Sequence, residues 1–182
     1  MKYVMAIFFT FSFLFLAMFG VSAVYGYLFP LRYVDEIATA ATTFEVDPTL
    51  VASVINSESG YDHEAVSLKG AEGLMQILPS TAEYLAKKLK YGEYDLKNPE
   101  DNIMLGTYYL STLIDQFQDE DLALCAYNAG PGNVQKWLAS EEYVDEEGKL
   151  TTIPFEETRN YLKKCERAKV YYNYRRRYFE MS

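Results

Sequence analysis

The chain has 182 residues, a formal net charge of −9, one histidine and two cysteines. A lone His63 with no Cys/His cluster offers no ligand set for zinc, and two cysteines are too few for a disulfide scaffold. Residues 31–158 carry 24 acidic and 8 basic side chains, an acidic body that disfavours nucleic acid, whose phosphates need a basic face.

From Tyr3 to Leu31 no residue is charged. At ~1.5 Å rise per residue this run is long enough to cross a ~30 Å hydrocarbon core. Residues 1–31 therefore read as a membrane anchor or signal segment. The apolar block from Val4 to Phe19 is longer than most signal-peptide h-regions, which favours an uncleaved anchor, while Val21-Ser22-Ala23 keeps cleavage near Ala23 open. No cysteine lies in the segment to carry a lipoprotein anchor. Lys2 precedes the span and Asp35 and Glu36 follow it, which favours a cytoplasmic N-terminus and an exported remainder. Residues 32–182 make one domain, long enough to bury a core without staples.

Helical spacing dominates this domain. Val34, Ile37, Ala38, Ala41 and Phe44 form a first stripe, beginning almost at the end of the apolar segment. Asp47-Pro48 supplies an N-cap and a proline at the first helical position for a helix ending near Glu58. Residues 59–72 are too rich in turn formers for an element. Ser80 to Glu83 reads as a capping box opening a short helix that ends by Gly92. Asn98-Pro99 opens another, with Ile103, Leu110, Leu113, Ile114 and Phe117 inward. A further helix runs from Asp121 through Ala129, and Gly130-Pro131-Gly132 separates it from a short one carrying Trp137. The acidic stretch 140–152 is loop, with a small ribbon over 143–153 as an alternative. A last long helix spans about Phe155 to Phe179. The fold class is mainly α. Cys125 and Cys165 each lie in an apolar helical pattern and read as buried free thiols, although a bridge between them stays open. The last 24 residues carry 8 basic and 2 acidic side chains, a solvated helix face or a contact for anionic lipid or wall polymer.

Glu58 carries the most chemical information. It ends the run Val51 to Glu58, in which Val51, Val54, Ile55 and Glu58 share one face, so an ionisable carboxyl sits at the edge of apolar surroundings. Burial there disfavours the charged form, and the negative end of the helix dipole pushes the same way. A carboxyl still protonated near neutral pH can donate to a leaving group, as cleavage of a glycosidic bond requires. No Gly-rich phosphate loop or nucleophile elbow is present, and no cofactor is implied.

Four separated segments accompany it: Glu58-Ser59, Gly73-Leu74-Met75-Gln76, Ala126-Tyr127-Asn128-Ala129-Gly130, and Ile153-Pro154 to Tyr161 with Glu157-Thr158-Arg159 inside. Their order and spacing over residues 34–172 resemble the family 1 lytic transglycosylases, the soluble lytic murein transglycosylase catalytic domain. The resemblance implies a lysozyme-like α domain behind the N-terminal helix, and a lyase that cleaves the β-1,4 bond between N-acetylmuramic acid (MurNAc) and N-acetylglucosamine (GlcNAc) in bacterial peptidoglycan, leaving a 1,6-anhydroMurNAc end. It makes Glu58 the single catalytic carboxylate, acid first and base second. It gives Ser67 a place beside the acetamido-derived intermediate, and puts Ser59, Gly73, Gln76, Tyr127, Asn128 and Tyr161 along the substrate. Gln76 offers a donor and an acceptor, Gly73 close backbone approach, and Tyr127 a hydroxyl for Glu58 or the acetamido group. Cys125 departs from the alanine usual before that third motif, a change of packing only.

Two rivals accompany this reading: a lysozyme-type muramidase, with Asp62 holding a water, and a non-catalytic peptidoglycan-binding scaffold. The partners implied are peptidoglycan glycan strands and, through the first helix, the cytoplasmic membrane, with the domain outside the cytoplasm. The acidic stretch Glu141 to Lys149 is available to shape one end of the cleft or to recruit cell-wall machinery proteins.

Overall fold

The computed structural model describes residues 2–180. The chain folds as two compact units, 1–31 and 32–182. The first is the helix α1 (Lys2–Leu28), in which Phe11–Leu28 is long and apolar enough to span a membrane by length and composition.

The second unit is helical. Its centre is α3 (Pro48–Glu58), which packs against α2 (Val34–Thr43) and, most extensively, α8 (Glu156–Tyr174). Every residue of α3 from Thr49 to Ser57 is buried. The one-sided stripe expected from the sequence is thus an understatement, and a helix covered all round is a core helix. It opens as expected. Asp47 caps it by accepting from Thr49 N at 2.9 Å, with Pro48 at the first helical position.

Around it stand α5 (Pro99–Phe117) and α6 (Glu120–Ala129), packed on each other, with α6 also against α7 (Pro131–Leu138) and α8. Trp137 and Val134 of α7 close a cluster with Leu113, Ala123, Cys125 and Ala126. The helix α4 (Pro79–Leu89) rests on α5. Both cysteines are buried and free.

Three boundaries differ from the sequence-based expectation. No side chain caps α4; it starts at Pro79, so proline geometry rather than a box from Ser80 to Glu83 sets its first turn. Asp119, whose carboxylate accepts from Leu122 N at 2.9 Å, starts α6 before Asp121. The last helix stops at Tyr174, and a separate short helix α9 (Arg177–Glu180) folds against α2. In the acidic stretch the ribbon reduces to one bridge, Val144 with Leu150.

Arg176 makes that final turn useful. Its Nη2 donates to Asp47 Oδ2 at 2.7 Å and to Asn173 Oδ1 at 3.0 Å, clasping the cap of α3. Partial burial works to raise Asp47, but Arg176 and the Thr49 N–H outweigh it and hold the carboxyl below its ordinary range. Much of the basic tail is engaged in this way: Lys169 pairs with Glu120, and Arg175 lies over the rings of Tyr171 and Tyr178. That favours the structural use of these charges over a free basic face.

Candidate active site

Glu58 is where α3 emerges. It lines an open cleft of about 390 Å³ together with Ser67, Leu68, Lys69, Ala71, Gln76, Leu78, Asn128 and Glu157. Burial raises its carboxyl to about 7; the Tyr161 hydroxyl and the Lys164 ammonium pull it back, and Glu157 pushes it up. Burial is therefore the cause expected from the sequence, and at neutral pH the group holds and releases a proton with comparable ease.

Behind the carboxyl stand two phenols. Burial keeps Tyr127 and Tyr161 protonated, well above the ordinary tyrosine range, with Glu58 adding to the effect in both. Tyr161 Oη is fully buried and has no formed hydrogen bond, so it acts on Glu58 as a nearby dipole. Tyr127 Oη donates to Met75 O at 2.9 Å. Its proton thus fixes the loop opposite.

That loop, residues 72–77, is held by Asn102, a residue that the sequence motifs do not include. Fully buried on α5, Asn102 accepts from Met75 N at 2.7 Å and donates to Glu72 O at 3.0 Å and Leu96 O at 2.8 Å. Every polar atom of its amide is used. Gly73 is required by this clamp. Its φ is +76°, and a Cβ there would lie 2.1 Å from Leu96 O and 2.3 Å from Asn102 Nδ2. Gly106 likewise leaves room for Met75, whose Sδ would sit 2.4 Å from an added Cβ.

The remaining candidates divide by what their polar atoms have left. Ser59 Oγ donates to Leu74 O at 2.8 Å and accepts from Tyr61 N at 3.1 Å; it ties the end of α3 to the same loop and is not among the residues lining the cleft. Ser67 Oγ accepts from Ala71 N at 2.9 Å, closing the turn 67–71, and keeps its own proton to donate into the cleft. The turn-capping and ligand-facing roles of Ser67 are compatible. Gln76 has a φ of +48° and commits its amide nitrogen to Ala65 O at 3.1 Å and Gly73 O at 2.9 Å, which leaves Oε1 to accept from a ligand. Asn128 Oδ1 accepts from Thr158 Oγ1 at 2.8 Å, so its NH₂ group is the end available to the cleft. Thr158, fully buried, is a second residue whose role the sequence does not announce. Asp62 is exposed, accepts from Glu64 N in its own turn at 3.0 Å and does not line the cleft; Glu157 is the carboxylate that shares the cleft with Glu58.

A family model for the transglycosylase SLT domain matches residues 35–148. The chain belongs to this family. It is 36% identical over 152 residues to the soluble lytic murein transglycosylase of Escherichia coli K12, covering 80% of this chain and 24% of that protein. It is 31% identical over 166 residues to the membrane-bound lytic murein transglycosylase C of Actinobacillus pleuropneumoniae, covering 78% and 46%. Among solved structures, the 70 kDa soluble lytic transglycosylase of Escherichia coli superposes with a TM-score of 0.73 at 36% identity, covering 80% of this chain and 25% of that one. An inactive mutant of the lytic transglycosylase Slt from Pseudomonas aeruginosa gives 0.74 at 32% identity, with 81% and 25% covered. The chain thus spans about a quarter of the length of the soluble relatives it matches. The mainly α, lysozyme-like class expected from the motifs is the class of this SLT domain.

Proposed function

We propose that this SLT-family chain is a peptidoglycan lytic transglycosylase, held at the membrane by α1, that cleaves the MurNAc–GlcNAc β-1,4 bond and leaves a 1,6-anhydroMurNAc end. The observation that carries the reading is Glu58, a carboxyl raised to about 7 by burial at the rim of an open cleft. One group that must give a proton and then take one is best served by a pKa near the working pH.

In the first step Glu58 donates its proton to the glycosidic oxygen as the bond to C1 breaks, while the substrate's acetamido oxygen closes onto C1. The free Ser67 proton and the Asn128 NH₂ are donors for that acetamido group. In the second step the Glu58 carboxylate takes the proton of the C6 hydroxyl, O6 attacks C1 and the acetamido oxygen departs. No water is consumed, and Glu58 is reset. Gln76 Oε1 accepts from a sugar hydroxyl or amide. Ser59, Gly73, Tyr127 and Tyr161 support the walls.

The apolar α1 and the similarity to a membrane-bound relative support anchoring, with the domain outside the cytoplasm. Release after cleavage near Ala23 is the alternative, and N-terminal sequencing of the mature protein distinguishes them. Peptidoglycan strands are the substrate; the acidic loop 141–149 remains a docking candidate for cell-wall machinery proteins.

Glu157 gives a hydrolytic second reading a specific footing, since a second cleft carboxylate is what activation of a water needs. Mass spectrometry of fragments released from purified peptidoglycan by the full chain in detergent separates the readings. Anhydro ends, lost in Glu58→Gln, support the transglycosylase. Reducing ends would make it a muramidase, and binding without cleavage a scaffold.

A further inference from the structure

Glu58 shares its cleft with Lys69 of the 67–71 turn, and is faced by groups from two helices: Glu157, Tyr161, Lys164 and Cys165 of α8, and Tyr127 of α6. Of these, Lys164 is the cation whose charge acts on the Glu58 carboxyl. Its place has a second structural meaning, because its Nζ donates to Ser57 O at 2.5 Å, in the last turn of α3 and one residue before Glu58. A helix end carries carbonyls without intrahelical partners and the negative pole of the dipole, and an ammonium there answers both.

We infer that Lys164 is a positioning residue for the proposed reaction: its ammonium closes the C-terminal turn of α3 and sets a positive charge beside the Glu58 carboxyl. The inference rests on the reading of Glu58 as acid and base. Burial and Glu157 both favour the protonated carboxyl. A fixed cation opposes them, so the carboxylate that must accept the second proton is not too costly to form. Tyr161 acts in the same direction as a dipole, but a buried neutral phenol cannot replace a charge. Cys165, adjacent in sequence, is itself raised to about 11 by burial and stays a neutral thiol. Lys163, exposed and one position away, is a control for charge at a distance.

The test titrates Glu58 directly in the full chain in detergent, by carboxyl ¹³C NMR assigned through Glu58→Gln, alongside the pH profile of glycan release. Lys164→Gln keeps a donor for Ser57 O and removes the charge; Lys164→Arg keeps both. Lys164→Gln should raise the Glu58 midpoint by about half a unit or more and move the alkaline limb of turnover the same way. Lys164→Arg and Lys163→Gln should leave both where they are. A midpoint unmoved by Lys164→Gln, or moved equally by Lys163→Gln, overturns the inference. Should the wild-type chain release no glycan, the proposed activity fails, while the NMR midpoint still decides the role of Lys164.

Discussion

Thr158 Oγ1 donates to Asn128 Oδ1 at 2.8 Å, joining the first turn of α8 to the end of α6 across 30 residues of sequence. The bond decides which end of the Asn128 amide is presented to a ligand. Thr158→Val removes the donor at nearly constant volume and frees the amide to turn over. Turnover on peptidoglycan should fall about tenfold, the value of one oriented hydrogen bond of ~1.4 kcal/mol. Thr158→Ser should retain it, and equal kinetics for wild type and Thr158→Val would remove Asn128 from the binding scheme.

Glu58 gives stability an unusual pH dependence. Its folded value, about 7, lies above the ordinary 4.5, so the folded chain binds this proton more tightly than the unfolded chain does. The group's contribution is complete below pH 4.5 and is lost as pH rises through 7. Glu58→Gln escapes the loss. Its stability advantage over wild type should grow by about 2–3 kcal/mol between about pH 4 and about pH 8, measured by urea unfolding at each pH. A constant difference would mean that the carboxyl is not raised.

Asn102→Ala leaves Met75 N–H and the Glu72 and Leu96 carbonyls without their partner, at about 1–3 kcal/mol for each buried group. Gly73→Ala forces a Cβ against Leu96 O and a side chain into positive φ. Each should lower thermal stability by an amount equivalent to about 3 kcal/mol or more. An unfolding midpoint within about two degrees of wild type would show that the loop has another support.

Tyr127→Phe separates scaffold from chemistry. The lost bond to Met75 O should cost about 1–2 kcal/mol of stability, with activity reduced by roughly tenfold at most. A loss of about a thousandfold in a stably folded variant would mean that the hydroxyl touches the reacting atoms.

What is legible in the sequence is local. Asp47-Pro48 and Asn98-Pro99 mark helix starts because a cap and its partner lie within three residues, and Glu58 stands out as a carboxyl ending an apolar run. The contacts of the clamp and tuning residues are not legible, even for Thr158 within the fourth motif, since Asn102, Thr158 and Lys164 meet their partners 27, 30 and 107 residues away. Only the polarity of Asn102 within a buried stripe hints at a role. Ser59 and Tyr127 carry the same hydroxyl whether it faces a sugar or a backbone carbonyl. Residue type alone does not distinguish these uses.

The Arg176–Asp47 clasp bears on how the domain carries mechanical load. It joins the two ends of the domain on one side: α9 lies against α2, and Arg176 grips the cap where α3 begins. Glu58 stands at the opposite end of α3, eleven residues on, roughly 16 Å away at helical rise. A pull on the segment preceding α2 would be taken up by the α2–α9 seam before it reached the cleft. Shortening the chain by the few residues after Arg175 would remove that strain relief while leaving every cleft residue in place.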